Sequence, residues 1–172
     1  MLKPLWFVHP KHGPAVDVVA LPLSSALLER YRLFPINDVK FDDGVSPEVA
    51  DDVFVVGYPF SEITYVQMPI WKRGSIASEP DIDLDQVPKL YIDTATRPGL
   101  SGSPVILQRV GVHGLGPNGQ VLIESSFGRV RSFLGVYSGR VGKGELMAQL
   151  GIVWKAKVVE EIVLHKVVGE RP

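Results

Sequence analysis

The chain has no cysteine. That excludes a disulfide scaffold, a zinc-thiolate site and a thiol nucleophile. It has almost no net charge, -1 over 172 residues. Phosphate backbones are bound through a net or clustered positive field, so nucleic acid is not expected as a partner. Long apolar runs are missing too. None approaches the roughly 20 residues that a spanning helix needs, and no membrane partner is expected. The run Leu5 to Val8 is too short for a secretory h-region. No signal peptide is read, and a cytoplasmic location is expected if Met1 is a genuine start. No internal repeat is visible.

What is present is turn chemistry. Glycine and proline make about 18 % of the chain, against roughly 12 % in average usage. Short apolar segments rich in Val and Ile lie between these punctuation marks: Leu5 to Val8, Ala15 to Leu21, Val53 to Val56, Ile63 to Ser78, Leu90 to Thr94, Ser103 to Leu107, Val121 to Ser125, Phe133 to Ser138 and Leu150 to Trp154. Strands at this spacing predict an all-β barrel or sandwich. Gly74 inside the fourth segment predicts a bend or bulge. Ser24 to Arg30 predicts a short helical piece, and Lys155 to Val168 an amphipathic helix burying Val158, Val159, Ile162 and Val163, stopped by Gly169. Residues 35–50 are polar and read as a connection between halves.

Two motif matches carry nothing. Gly114-Leu-Gly-Pro-Asn-Gly119 has the letters of a dinucleotide fingerprint, but Pro117 sits inside it and a strand rather than a helix is expected after it. A hairpin turn on Pro-Asn-Gly fits better. Asp81, Asp83 and Asp85 have calcium-loop spacing, but Gln86 stands where the turn glycine belongs and Ile92 where the bidentate glutamate belongs. No cofactor and no metal are expected.

The stretch with chemistry in it is Asp93-Thr-Ala-Thr-Arg-Pro-Gly-Leu-Ser-Gly-Ser-Pro-Val105. A nucleophilic serine must project from a tight turn, beside converging backbone N–H groups and small neighbours. Gly99 and Gly102 supply the turn and the clearance around Ser101. The N–H groups of Gly99 and Ser101 would then form an oxyanion hole. A Gly/Ser/Pro loop without chemistry fits the same residues, and both readings stand at this point.

This stretch resembles the active-serine region of trypsin-fold serine proteases, on the side of the bacterial trypsin-like and HtrA-type branch. The likeness continues in Val53-Phe-Val-Val-Gly-Tyr-Pro-Phe60, Lys72-Arg-Gly-Ser-Ile-Ala-Ser78, Phe133-Leu-Gly-Val-Tyr-Ser-Gly139 and Leu150-Gly-Ile-Val-Trp154. It runs from about residue 51 to the end. Upstream, Pro14-Ala-Val-Asp-Val-Val-Ala-Leu-Pro-Leu23 resembles the strand that carries the triad aspartate. The resemblance implies a double β-barrel and a serine endopeptidase acting through an acyl-enzyme at Ser101. Asp17 would be the orienting acid, and an aspartate between Val16 and Val18 is costly to bury unless partnered. Ala95, Thr96, Tyr137, Ser138 and Gly139 would wall the pocket before the scissile bond. Ala95, where an acid would select Arg or Lys, implies a small or uncharged side chain. Leu100 replaces the acid used in zymogen-type activation.

The triad histidine has no evident counterpart. His9 and His12 sit in the turn His9-Pro-Lys-His-Gly-Pro14 and read as surface residues; His113 and His165 read as structural or solvent-facing. The expectation is therefore a remnant of an N-terminal barrel over residues 1–50 and a C-terminal barrel with a terminal helix over 51–172. The sequence would begin inside a longer chain and be inactive as given. Expected partners are a peptide or protein substrate, and a second copy covering the incomplete barrel. The alternative is a non-catalytic trypsin-fold module that binds peptides along Phe133 to Ser138.

Overall fold

A computed structural model describes residues 5–41, 45–59, 68–95, 99–142 and 149–170. Six antiparallel strands close into a barrel: β2 (Asp52–Gly57), β3 (Ile70–Ile76), β4 (Lys89–Asp93), β5 (Pro104–His113), β6 (Ser126–Arg140) and β7 (Leu150–Lys155). Their order around the barrel is β2-β3-β4-β7-β6-β5. Alternation explains the closure. Val53, Val55 and Gly57 of β2 are buried and their neighbours are not, so one face turns inward. Val53, Val55, Ile76, Leu90, Ile92, Val105, Leu107, Leu134, Tyr137 and Val153 form the barrel core. All-β architecture is thus present, with most of its strand segments where the sequence expects them.

A second core lies outside the barrel. Trp154 and Val87 pack with Val158 and Ile162 of α2 (Ala156–His165) and with Val16, flanked by Phe7, Val18 and Ala20. This core holds the N-terminal segment. Its first strand, β1 (Phe7–Val8), pairs with β8 (Val167–Val168), and Phe7 also bridges to Ala20.

Several expectations are corrected here. Residues 15–21 form no strand apart from the Ala20 bridge, because Val16 goes to the second core while Asp17 and Val19 stay exposed. Residues 121–125 are loop; the return strand starts at Ser126, after a 3-10 turn at Pro117–Gly119. Gly74 lies in β3, but most of the upstream part of the expected Ile63 to Ser78 strand is outside the described residues. α2 ends at His165, where Lys166 takes the left-handed conformation (φ 51°). Gly169 does not stop it; it lies against the Trp6 indole, leaving no room for a Cβ. Val163 is exposed rather than core. α1 (Ser25–Arg30) forms as expected, with no buried residue.

Candidate functional site

The serine turn is held from below. Leu100 is fully buried in the barrel core while Ser101 next to it is exposed. The turn is closed by the Ser103 amide donating to Leu100 O (3.0 Å) and the Gly102 amide to Tyr137 O (2.7 Å). Gly99 and Gly102 have φ of 94° and 86°, a region that side chains with a Cβ avoid. The turn can sit this low because β2 ends in a glycine. A Cβ on Gly57 would collide with the Ser103 hydroxyl and press on Leu100.

Facing the turn, β6 carries a bulge. Its register against β7 shifts between Tyr137 and Gly139, so Ser138 is the extra residue. Its hydroxyl accepts the Trp154 indole N–H at 2.9 Å. Its carbonyl accepts the Ser101 hydroxyl at 3.3 Å. Pairing of β6 with β5 ends at Val136, beyond which Tyr137 donates its amide to Ser103 O and accepts the Gly102 amide. Gly139 and Arg140 pair only with β7 among the described residues, and the bulged Ser138 pairs with neither strand. Among the described residues, a short edge without a strand partner therefore begins beside Ser101.

A cavity of about 440 Å³ joins these parts, lined by Asp17, Val18, Val19 and Ala20 on one side and Ser101, Gly102 and Tyr137 on the other. Ser138, Val136, Val159 and Ile162 complete it. The volume is within the ordinary range for small-ligand sites. Ser101, Asp17, Tyr137 and Ser138 are thus brought together. Gly139 follows the bulge, paired with Ile152, and is not part of the lining. Ala95 is exposed beyond the end of β4 and does not line this cavity. Thr96 is outside the described residues. The Gly99 and Ser101 amides donate to no main-chain partner among the described residues. Asp17 is exposed. The expectation that burial forces a partner on it is corrected, since solvent satisfies this carboxylate.

No histidine lines the cavity. His9, expected on the surface, is 1 % exposed. Its Nδ1 accepts the amides of Lys11 and His12, both at 3.2 Å, and its Nε2 lies 2.8 Å from Glu161 Oε2. No aligned acceptor meets that Nε2 among the described residues, so the carboxylate lies beside the ring without a well-formed hydrogen bond. The His9–Glu161 contact has no sequence signal, because it joins a turn to a helix far along the chain. His12 is half-buried, with its ring 5.0 Å from the His9 ring. His113 Nε2 is 3.1 Å from Gly128 O, and His165 Nδ1 is 2.9 Å from Glu161 O. Among the described residues no group of three or more His, Cys, Asp or Glu is placed to hold a metal.

Compared with protein-family models and with curated proteins, the chain matches none.

Proposed function

We propose that this chain carries the nucleophile half of a trypsin-type serine endopeptidase site. The observation that carries the reading is the Ser101–Ser138 contact: an exposed serine on a two-glycine turn bonds to the carbonyl that opens the free edge of β6. An extended peptide adding to residues 138–140 would bring its carbonyl past that hydroxyl. Ser101 Oγ would add to the carbonyl carbon and give its proton to a base. The Gly99 and Ser101 amides would take the oxyanion, and collapse would expel the amine carrying the base's proton. Water would then hydrolyse the acyl-enzyme by the same proton transfers. The double barrel of that family belongs to this reading, with Asp17 as the carboxylate orienting an imidazole in the shared cavity. None of the chain's own histidines lines that cavity, so this polypeptide alone is expected to turn over little or nothing.

A second reading is a peptide-binding module of the same fold without catalysis. It is favoured by the resting bond of Ser101, which goes to a main-chain carbonyl and not to a base. A fluorophosphonate probe separates the two. The protease reading expects slow labelling, accelerated by free imidazole and abolished by Ser101→Ala. Asp17→Asn should remove the imidazole acceleration. Absence of labelling at saturating imidazole, with peptide-induced NMR shifts confined to residues 138–140, would establish the binding module.

A further inference from the structure

His9 is buried, titratable and unused by the chemistry above. Its hydrogen bonds fix its tautomer. Nδ1 accepts two main-chain N–H groups, from Lys11 and His12, so the neutral ring carries its proton on Nε2, facing Glu161. Any second proton must go to Nδ1. There it would face two N–H donors at close range, on a ring that is itself buried. Protonated His9 is therefore incompatible with the turn that neutral His9 organises, which is closed by the Gly13 amide on His9 O at 2.9 Å.

That turn leads directly into residues 16–20, which supply Val16 to the second core and Asp17, Val18, Val19 and Ala20 to the cavity wall. We propose that His9 is a proton-sensitive latch: neutral, it pins the N-terminal segment to α2 and closes the cavity wall; protonated, it releases the segment and opens the cavity. The groups acting on His9 are Glu161 from α2 and His12 and Lys11 from its own turn. Burial pushes its pKa below the ordinary 6.5, His12 and Lys11 push the same way, and Glu161 opposes them. A lowered histidine pKa means that the latch contributes stability above the unfolded value and loses it as pH falls. This inference goes beyond the proposed activity and stands whether or not Ser101 is a nucleophile.

The test is hydrogen exchange and nitrogen NMR on the whole chain, from pH 8 to 5. His9 should show the Nε2–H tautomer and titrate below 6.5. Between pH 6.5 and that midpoint, protection of the Lys11, His12 and Gly13 amides and of the β1–β8 pairs should fall about tenfold per pH unit, the slope of a single proton, and it should level off below the midpoint. The barrel amides of Val55 and Val105 should keep theirs. His9→Asn presents an oxygen acceptor where Nδ1 stood and cannot titrate, so it should flatten the dependence. Glu161→Gln removes the charge that favours protonation and should move the midpoint to lower pH. An Nδ1–H tautomer, a midpoint at or above 6.5, or loss of barrel and latch protection together would overturn the proposal. So would an unchanged dependence in His9→Asn. If that variant does not fold, the tautomer and the Glu161→Gln midpoint decide.

Discussion

The Trp154 indole N–H donates to the Ser138 hydroxyl at 2.9 Å, and Ser138 is the bulge residue whose carbonyl receives the Ser101 hydroxyl. One hydrogen bond thus couples the second core to the candidate site. Trp154→Phe removes the donor and part of a buried ring. It should lower stability by about 1–3 kcal/mol in urea unfolding. It should also slow probe labelling of Ser101, because the bulge loses its anchor. Ser138→Ala should reproduce the slower labelling at a smaller stability cost. Labelling as fast as the parent in both variants would show that the anchor does not set the serine's position.

Gly57 carries the next expectation. A Cβ there meets the Ser103 hydroxyl and Leu100, so Gly57→Ala must push the serine turn outward. Overpacking of this kind costs about 1–3 kcal/mol. Labelling of Ser101 should drop while circular dichroism still reports the barrel. Gly111→Ala, at a position with no neighbour within 4 Å of the added Cβ, is the control.

Arg109 fixes the approach to β2. Its guanidinium makes two 2.6 Å bonds to Asp51 and one of 2.8 Å to Ser46 O. Hydrogen bonds to Asp51 hold it above the ordinary arginine range despite its burial. Arg109→Met should cost about 1–3 kcal/mol by leaving the Asp51 carboxylate half-buried without its cation. The double variant with Asp51→Asn should recover part of that loss, which a double-mutant cycle reads directly.

Asp83 gives an acid-limb prediction. Burial raises its pKa, but hydrogen bonds from Lys155 and Lys157 outweigh burial and hold it below the ordinary 3.8. A depressed carboxylate contributes stability above its unfolded value and loses it as pH falls through the folded one. Chemical denaturation should therefore show stability declining below about pH 4, with a shallower decline in Asp83→Asn. Equal slopes in the two proteins would remove Asp83 from the account.

Much of the barrel was legible because its strands are short, Val-rich and bracketed by turns. Val53 to Val56 and Leu150 to Trp154 fall inside strands that the structure contains. The serine turn was legible because its glycines adopt backbone angles other residues avoid. What sequence could not show is partnership across distance. Val16, Asp17 and Val18 look like strand, yet the Val side chains are drawn to Trp154 and α2, and the aspartate is left to solvent. His9 looks like a surface turn residue because proline and glycine surround it. Glu161 and its own turn's amides bury it. Lys166 carries no helix-stop signal, and only β8 pairing with β1 explains why the chain turns back there.

That last pairing bears on how the molecule assembles. β1 and β8 are two residues each and join opposite ends of the described chain. Closing so long a loop costs entropy that two-residue strands cannot offset alone. Packing of Phe7, Val16, Val18 and Ala20 against Trp154 and α2 must supply the rest. The N-terminal segment is therefore expected to dock after the barrel has formed, and to be among the first parts to leave when conditions turn unfavourable. A barrel that persists after this segment has gone would still display the Ser101 turn, now with one wall of its cavity removed.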